Sequence, residues 1–201
     1  MEATYLIAGL GNPGKDYEKT RHNAGFLVVD ELVRHRKASW KDESRFKARL
    51  ARWREGEKTL LVCQPQTYMN ASGESVGEMA RFYRVPLGNL MLIVDDADLP
   101  LGQVRMRSAG SSGGHHGLES VESHVGSREY ARLRVGIGRT DEGRRDIAGH
   151  VLGRFSREEE LLFRRVAERC RLQLDCWLAE GIAKAMSLFN GAIAPEQRKG
   201  N

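Results

Sequence analysis

The sequence predicts an α/β fold, and three stretches carry the prediction. Thr4-Tyr5-Leu6-Ile7-Ala8, Thr59-Leu60-Leu61-Val62-Cys63 and Leu90-Met91-Leu92-Ile93-Val94 are short apolar runs rich in strand-favouring residues. The first two are each followed by a polar loop and then by a segment of helical period, so strands and helices alternate. Open α/β sheets place their ligands at the carboxyl ends of the strands, which directs attention to residues 9–23, 64–70 and 95–102.

The chain has 201 residues, which suits one domain with a sizeable core. Residues 1–194 are expected to form it, and 195–201 a disordered, charged tail. Lys+Arg 32 against Asp+Glu 27 gives a net charge of +5, a balance that permits an anionic partner without proving one. Cys63, Cys170 and Cys176 are odd in number and not spaced for zinc, so core packing in a reduced, cytoplasmic setting is expected. No stretch is apolar and long enough to span a bilayer.

The first strand runs into Gly9-Leu-Gly-Asn-Pro-Gly-Lys15, which offers two familiar motifs and satisfies neither. Gly9-x-Gly11-x-x-Gly14 has the dinucleotide spacing. Its third glycine should already lie in a helix, but the helical pattern starts only near Ala24, and Pro13 removes an amide. Read as a phosphate loop, Gly9 to Lys15 is followed by Asp16 where a hydroxyl should bind magnesium. What remains is a tight turn presenting Asn12 and a loop delivering His22. An amide and an imidazole together suit carbonyl chemistry, although a turn-forming Asn and a surface His describe the residues equally well.

Asn23 can cap a helix to about Lys37, whose stripe of Ala24, Leu27, Val28 and Leu32 is widened by Phe26, Val29 and Val33. Residues 45–54 and 58–64 read as strands around Gly56. Gln64-Pro-Gln-Thr-Tyr-Met-Asn70 is an extended loop, and Ser72 opens the next helix, which stops near Pro86. Asn70 therefore stands at a strand-to-helix junction, as Asn12 does.

Asp95-Asp-Ala-Asp98 follows the central strand and can hold a divalent metal, orient a histidine, or make a turn. Gln103 to Arg107 alternates like a strand, with Arg105 and Arg107 on one face. A glycine-rich loop, Gly110 to Gly117, carries His115 and His116, which should point to opposite sides, and a short helix follows from Leu118. Residues 132–138 form another strand with Arg132 and Arg134, and Arg139, Arg144 and Arg145 extend the positive charge, a grouping that favours phosphate contacts. The last third is helical: Ser156-x-x-Glu159 is a capping box, the core-facing stripe runs from Leu162 to Leu178, and Gly181 and Gly191 close successive helices.

Together these loops resemble the bacterial peptidyl-tRNA hydrolase family. The matching segments are Gly9-Leu-Gly-Asn-Pro-Gly with Thr20-Arg-His-Asn-Ala-Gly25, Gln64 to Gly73, Asp95-Asp-x-Asp-Leu-Pro-x-Gly102, Gly113-Gly-His-x-Gly-Leu118, and Arg132-Leu-Arg-Val-Gly-Ile-Gly138, in the family's order. The resemblance implies a single α/β domain with a mixed, twisted β-sheet sandwiched between helices. It also implies hydrolysis of the ester joining a peptide to the terminal ribose of tRNA, with no metal or other cofactor. His22 matches the catalytic histidine, Asp95 the carboxylate that orients it, and Asn12 an amide at the attacked carbonyl. Tyr17, Met69, Asn70 and His116 match positions that line the peptide cleft, and Arg107 and Arg134 those that grip the tRNA 5′-phosphate. The expected partner is peptidyl-tRNA, with no membrane and no obligatory protein partner, and the expected state is a monomer.

One position departs from the pattern. His116 stands where the family usually has Asn, and a neutral imidazole offers one donor and one acceptor where an amide offers two donors. That departure keeps open a tRNA- or RNA-binding relative that has lost hydrolysis, and the Asp95 to Asp98 cluster keeps open a metal-dependent phosphodiesterase.

Overall fold

The computed structural model describes residues 3–139 and 147–193. The elements run β1 (Ala3–Gly9), α1 (Ala24–His35), β2 (Lys41–Glu43), β3 (Ala48–Glu55), β4 (Lys58–Pro65), α2 (Ser72–Phe82), β5 (Leu90–Asp96), β6 (Gln103–Arg107), α3 (His116–Val125), β7 (Ala131–Gly136), α4 (Ile147–Leu152), α5 (Arg157–Glu180), α6 (Ile182–Phe189) and β8 (Gly191–Ala192). The strands form one eight-stranded sheet in the order β2-β3-β4-β1-β5-β7-β6-β8. The inner pairs β4–β1, β1–β5 and β5–β7 are parallel, and the outer pairs are antiparallel, so the sheet is mixed as expected.

Alternation along the inner strands divides two cores. Ile7, Met91, Ile93 and Leu133 face α1, α5 and α6, while Leu6, Ala8, Leu92 and Val94 face α2 and α3. Burial on both sides is why these strands read as continuous apolar runs. β1 lies between β4 and β5, and the crossovers α1 and α2 lie on opposite faces. The crevice at the carboxyl end of β1 is thus a topological switch point, where such sheets open to a ligand.

Two glycines let α1 approach the sheet at that crevice. A Cβ on Gly25 would lie 2.3 Å from the Ile93 carbonyl oxygen, and one on Gly9 would lie 2.3 Å from the Gly25 oxygen. Only hydrogen fits on either residue, so the first turn of α1 rests on the ends of β1 and β5. This contact brings the residues before α1 close to those ending β5.

The element boundaries refine several expectations. β3 begins at Ala48, after a 3-10 turn at Ser44–Phe46 and a left-handed Lys47, and meets β4 through a two-residue turn that includes Gly56. α2 opens at Ser72 as read and Asn23 occupies the N-cap position of α1, but each helix is preceded by a 3-10 turn and neither side chain bonds to the helix amides. The Ser72 hydroxyl donates to the Met69 carbonyl instead. α3 starts at His116 rather than Leu118, with His115 as its N-cap. The capping box of Ser156 and Glu159 is present as read. β8, which the sequence did not announce, covers the edge of β6, where both polar groups of the Asn190 side chain pair with the Met106 backbone. The expected tail and Arg144 and Arg145 lie outside the described residues.

Candidate active site

Asp95 is the penultimate residue of β5 and shares its face with Ile93, the face that α1 covers. His22 lies in the 3-10 turn just before α1. The close approach of α1 places the His22 Nδ1 3.1 Å from both Asp95 carboxylate oxygens. A second imidazole arrives from the other side of the chain's glycine loop: His115 Nε2 lies 3.1 Å from Asp95 Oδ1. Burial by itself would raise the Asp95 carboxyl, but the hydrogen bonds from His115 and His22 outweigh it and hold the pKa down to about 2.

The surroundings decide where the protons sit. His115 Nδ1 accepts the Leu118 N–H at 3.3 Å as the N-cap of α3, so its proton is on Nε2 and is donated to Asp95. His22 likewise presents Nδ1–H to the ionised carboxylate, which leaves Nε2 with a free lone pair. The ligating atoms of His22, Asp95 and His115 fall within 4.8 Å of one another, close enough to hold a metal ion. In that role His115 Nε2 would have to lose its proton and Nδ1 would have to carry it, against the Leu118 N–H. As folded, both imidazoles are hydrogen-bonded to the Asp95 carboxylate.

Asn12 is held as tightly. Its backbone N–H donates to Asn23 Oδ1 at 2.9 Å, and Asn23 Nδ2 returns a bond to its carbonyl at 2.9 Å. The Asn12 side-chain oxygen accepts the Met69 N–H at 2.8 Å, which fixes the amide orientation and leaves its NH2 group without a partner among the described residues. The other cleft residues differ in exposure. Asn70 and Tyr68 are open to solvent, Met69 is buried beside Leu10 and the start of α3, and Tyr17 is half-buried in the turn that leads to Thr20.

A cavity of about 830 Å³ opens beside the trio, lined by His22, Asp95, His115 and His116 together with several arginines. Asn12, Tyr17, Met69 and Asn70 do not line it; they belong to the loops after β1 and β4. His116 turns away from Asp95, with its side chain 77% exposed and Nδ1 3.1 Å from Glu119 Oε2. The adjacent histidines thus have separate surroundings.

Apart from Arg139, which follows β7 and pairs with Asp98, the arginines come from β6 and β7, where Arg105 is paired with Arg134 and Arg107 with Arg132 in register, four like charges on one face. Like charges directly opposite cost stability unless an anion shares them. Their present partners differ. Arg132 is buried, spends its guanidinium on the carbonyls of Gly110, Ser111, Arg128 and Tyr130, and has its pKa lowered by burial. Arg134 bonds to Asp96 and to the Ser111 and Ser112 carbonyls, bracing the glycine loop. Arg105 and Arg107 are exposed and face the cavity with no bond to another described residue. The resemblance pairs Arg107 with Arg134 for phosphate and gives no site role to Arg105, His115 or Asn23. Period-two alternation pointed to Arg105, whereas the roles of His115 and Asn23 depend on contacts that no spacing encodes.

A family model described as peptidyl-tRNA hydrolase matches residues 6–199. A peptidyl-tRNA hydrolase of Caldanaerobacter subterraneus subsp. tengcongensis is 44% identical over 195 residues, covering 93% of this chain and all of the relative. One of Gloeobacter violaceus is 42% identical over 185 residues, covering 92% and 93%. The crystal structure of peptidyl-tRNA hydrolase from Acinetobacter baumannii superposes with a TM-score of 0.88 at 31% identity, covering 96% of this chain and 97% of that one.

Proposed function

This chain belongs to the peptidyl-tRNA hydrolase family, and from that premise we propose that it hydrolyses the ester joining a peptide or N-acyl amino acid to the terminal ribose of tRNA, with His22 as the base. The observation that carries the reading is Asp95, a buried carboxylate that two imidazoles keep ionised and that holds the His22 proton on Nδ1. Nε2 is then the basic atom on offer to a water molecule.

The water oxygen attacks the ester carbonyl carbon as its proton passes to His22 Nε2, and Asp95 stabilises the imidazolium that forms. The Asn12 NH2 group, oriented by the Met69 N–H, donates to the developing oxyanion. The carbonyl re-forms as the bond to the ribose oxygen breaks, and Nε2 returns the proton to that oxygen. Asn70, Tyr17 and Met69 hold the peptide, with His116 at the rim. Arg107 and its neighbour Arg105, both without a bond to another described residue, bind phosphate, a role for which guanidinium geometry suits them. Arg134, already engaged, contributes charge and supports the loop.

All three cysteines are free and buried, and no helix among the described residues is long and apolar enough to cross a membrane. On this reading the enzyme is cytoplasmic and monomeric and meets its substrate without a protein partner. The test is release of N-blocked amino acid from an N-acyl-aminoacyl-tRNA, with the free-amine form as control. The parent should be active and His22→Ala inactive while still binding tRNA. A parent that binds tRNA but releases nothing would establish the non-hydrolytic relative instead, and activity lost on chelation would favour metal chemistry.

A further inference from the structure

Arg21 precedes His22 directly, yet its bonds run away from the cavity. Its backbone N–H donates to the Gly153 carbonyl at 3.0 Å, continuing an antiparallel bridge between Thr20 and Arg154. Its guanidinium donates through one nitrogen to the Arg154 carbonyl at 2.8 Å and through the other to both Glu159 oxygens, at 2.9 and 2.7 Å. The same group lies over the Phe155 ring, 5.3 Å from its centre. The side chain is only 12% exposed.

The partner is not an idle surface carboxylate. Glu159 Oε2 also accepts the Ser156 N–H at 2.7 Å, completing the capping box that starts α5. One carboxylate therefore ends the corner between α4 and α5 and also receives Arg21. On the other side of that corner, Val151 of α4 forms part of the cavity wall. The turn that carries the base and the segment that walls the cavity are joined through Arg21.

We infer that Arg21 is a positioning residue for hydrolysis: it ties the backbone of the His22 turn to the Gly153–Glu159 corner, and so sets the direction of the His22 imidazole and its distance from the Val151 wall. The bonding requires arginine. A planar fork can engage a carboxylate through one nitrogen and a carbonyl through the other while its face covers an aromatic ring, and an ammonium cannot do all three. The inference rests on His22 being the base.

Glu159→Gln separates positioning from helix capping, because glutamine at this place in a capping box still accepts from the Ser156 N–H but no longer pairs as an anion with Arg21. Arg21→Ala, Arg21→Lys, Glu159→Gln and the Arg21→Ala/Glu159→Gln double variant would be compared with the parent for melting temperature and for kcat and KM on N-acyl-aminoacyl-tRNA. Arg21→Ala should lower kcat by about tenfold to a hundredfold, the scale of a misplaced catalytic group, with KM within about twofold of the parent. Lysine should restore part of the loss. Glu159→Gln should lower kcat severalfold at a nearly unchanged melting temperature, and the double variant should be no worse than Arg21→Ala. Parental kcat in both Arg21→Ala and Glu159→Gln, alongside an inactive His22→Ala, would overturn the inference and leave His22 as the base. A parental rate in His22→Ala would overturn both.

Discussion

His115 donates to Asp95 and at the same time caps α3, and its ring lies 6.0 Å from that of His22. One side chain therefore both orients the carboxylate and starts a helix, and the two tasks can be separated. His115→Asn should keep the cap, since asparagine is a preferred N-cap, but lose the bond to Asp95. His115→Ala loses both, with the cap alone costing about 1 kcal/mol. The expected result is a clear fall in melting temperature for alanine, a smaller one for asparagine, and reduced kcat in both. Full kcat in either variant would show that His22 and Asp95 suffice without the second imidazole.

The basic strands predict a split between substrates. Arg107→Ala and Arg105→Ala should raise KM for tRNA substrates and flatten its dependence on salt, because exposed phosphate contacts are screened. Small esters without a 5′-phosphate should be handled alike by these variants and the parent. Arg134→Ala removes three bonds to Asp96 and the glycine loop, so it should impair both substrate types and lower the melting temperature. Equal losses for Arg107→Ala on both types would count against a phosphate role.

His116 is expected to matter modestly. It is exposed, paired with Glu119, and must turn from that partner to meet a substrate. His116→Asn restores a second neutral donor and should hold or raise turnover near neutral pH, while His116→Ala should lower it by about fivefold, the worth of one neutral hydrogen bond. A hydrolase that gained activity only on this substitution would show that His116 had disabled the parent.

Acid should act through Asp95. Its folded pKa of about 2 lies below its ordinary 3.8, so the stabilisation it provides is complete above the ordinary value and is lost as pH falls through that interval. The shift corresponds to stability on the order of 2 kcal/mol. Thermal unfolding followed from about pH 5 down to about pH 2 should show a steeper loss for the parent than for Asp95→Asn, which cannot titrate there. Parallel curves would mean that the carboxylate is not held ionised as described.

Much of this arrangement was legible in the residues alone. β1, β4 and β5 announce themselves because strands buried on both faces need an unbroken apolar run, and α5 because its capping box is a local pattern of Ser156 and Glu159. The loops after β1 and β4, with Asn12 and Asn70, and the carboxyl end of β5, with Asp95, follow from strand ends in an α/β sheet. The tertiary structure decided which groups meet. Of two adjacent histidines, His115 turns inward because α3 begins one residue later and takes its Nδ1 as cap, and His116 is left to solvent. Of the arginines facing the cavity, Arg132 and Arg134 are committed because the folded glycine loop offers them carbonyls, whereas Arg107 bonds to no other described residue. Asn23 serves the Asn12 turn rather than its own helix. Local period and caps act within a few residues of chain, whereas His22 and Asp95 are brought together by a contact between Gly25 and Ile93, which only the close packing of α1 on the sheet produces.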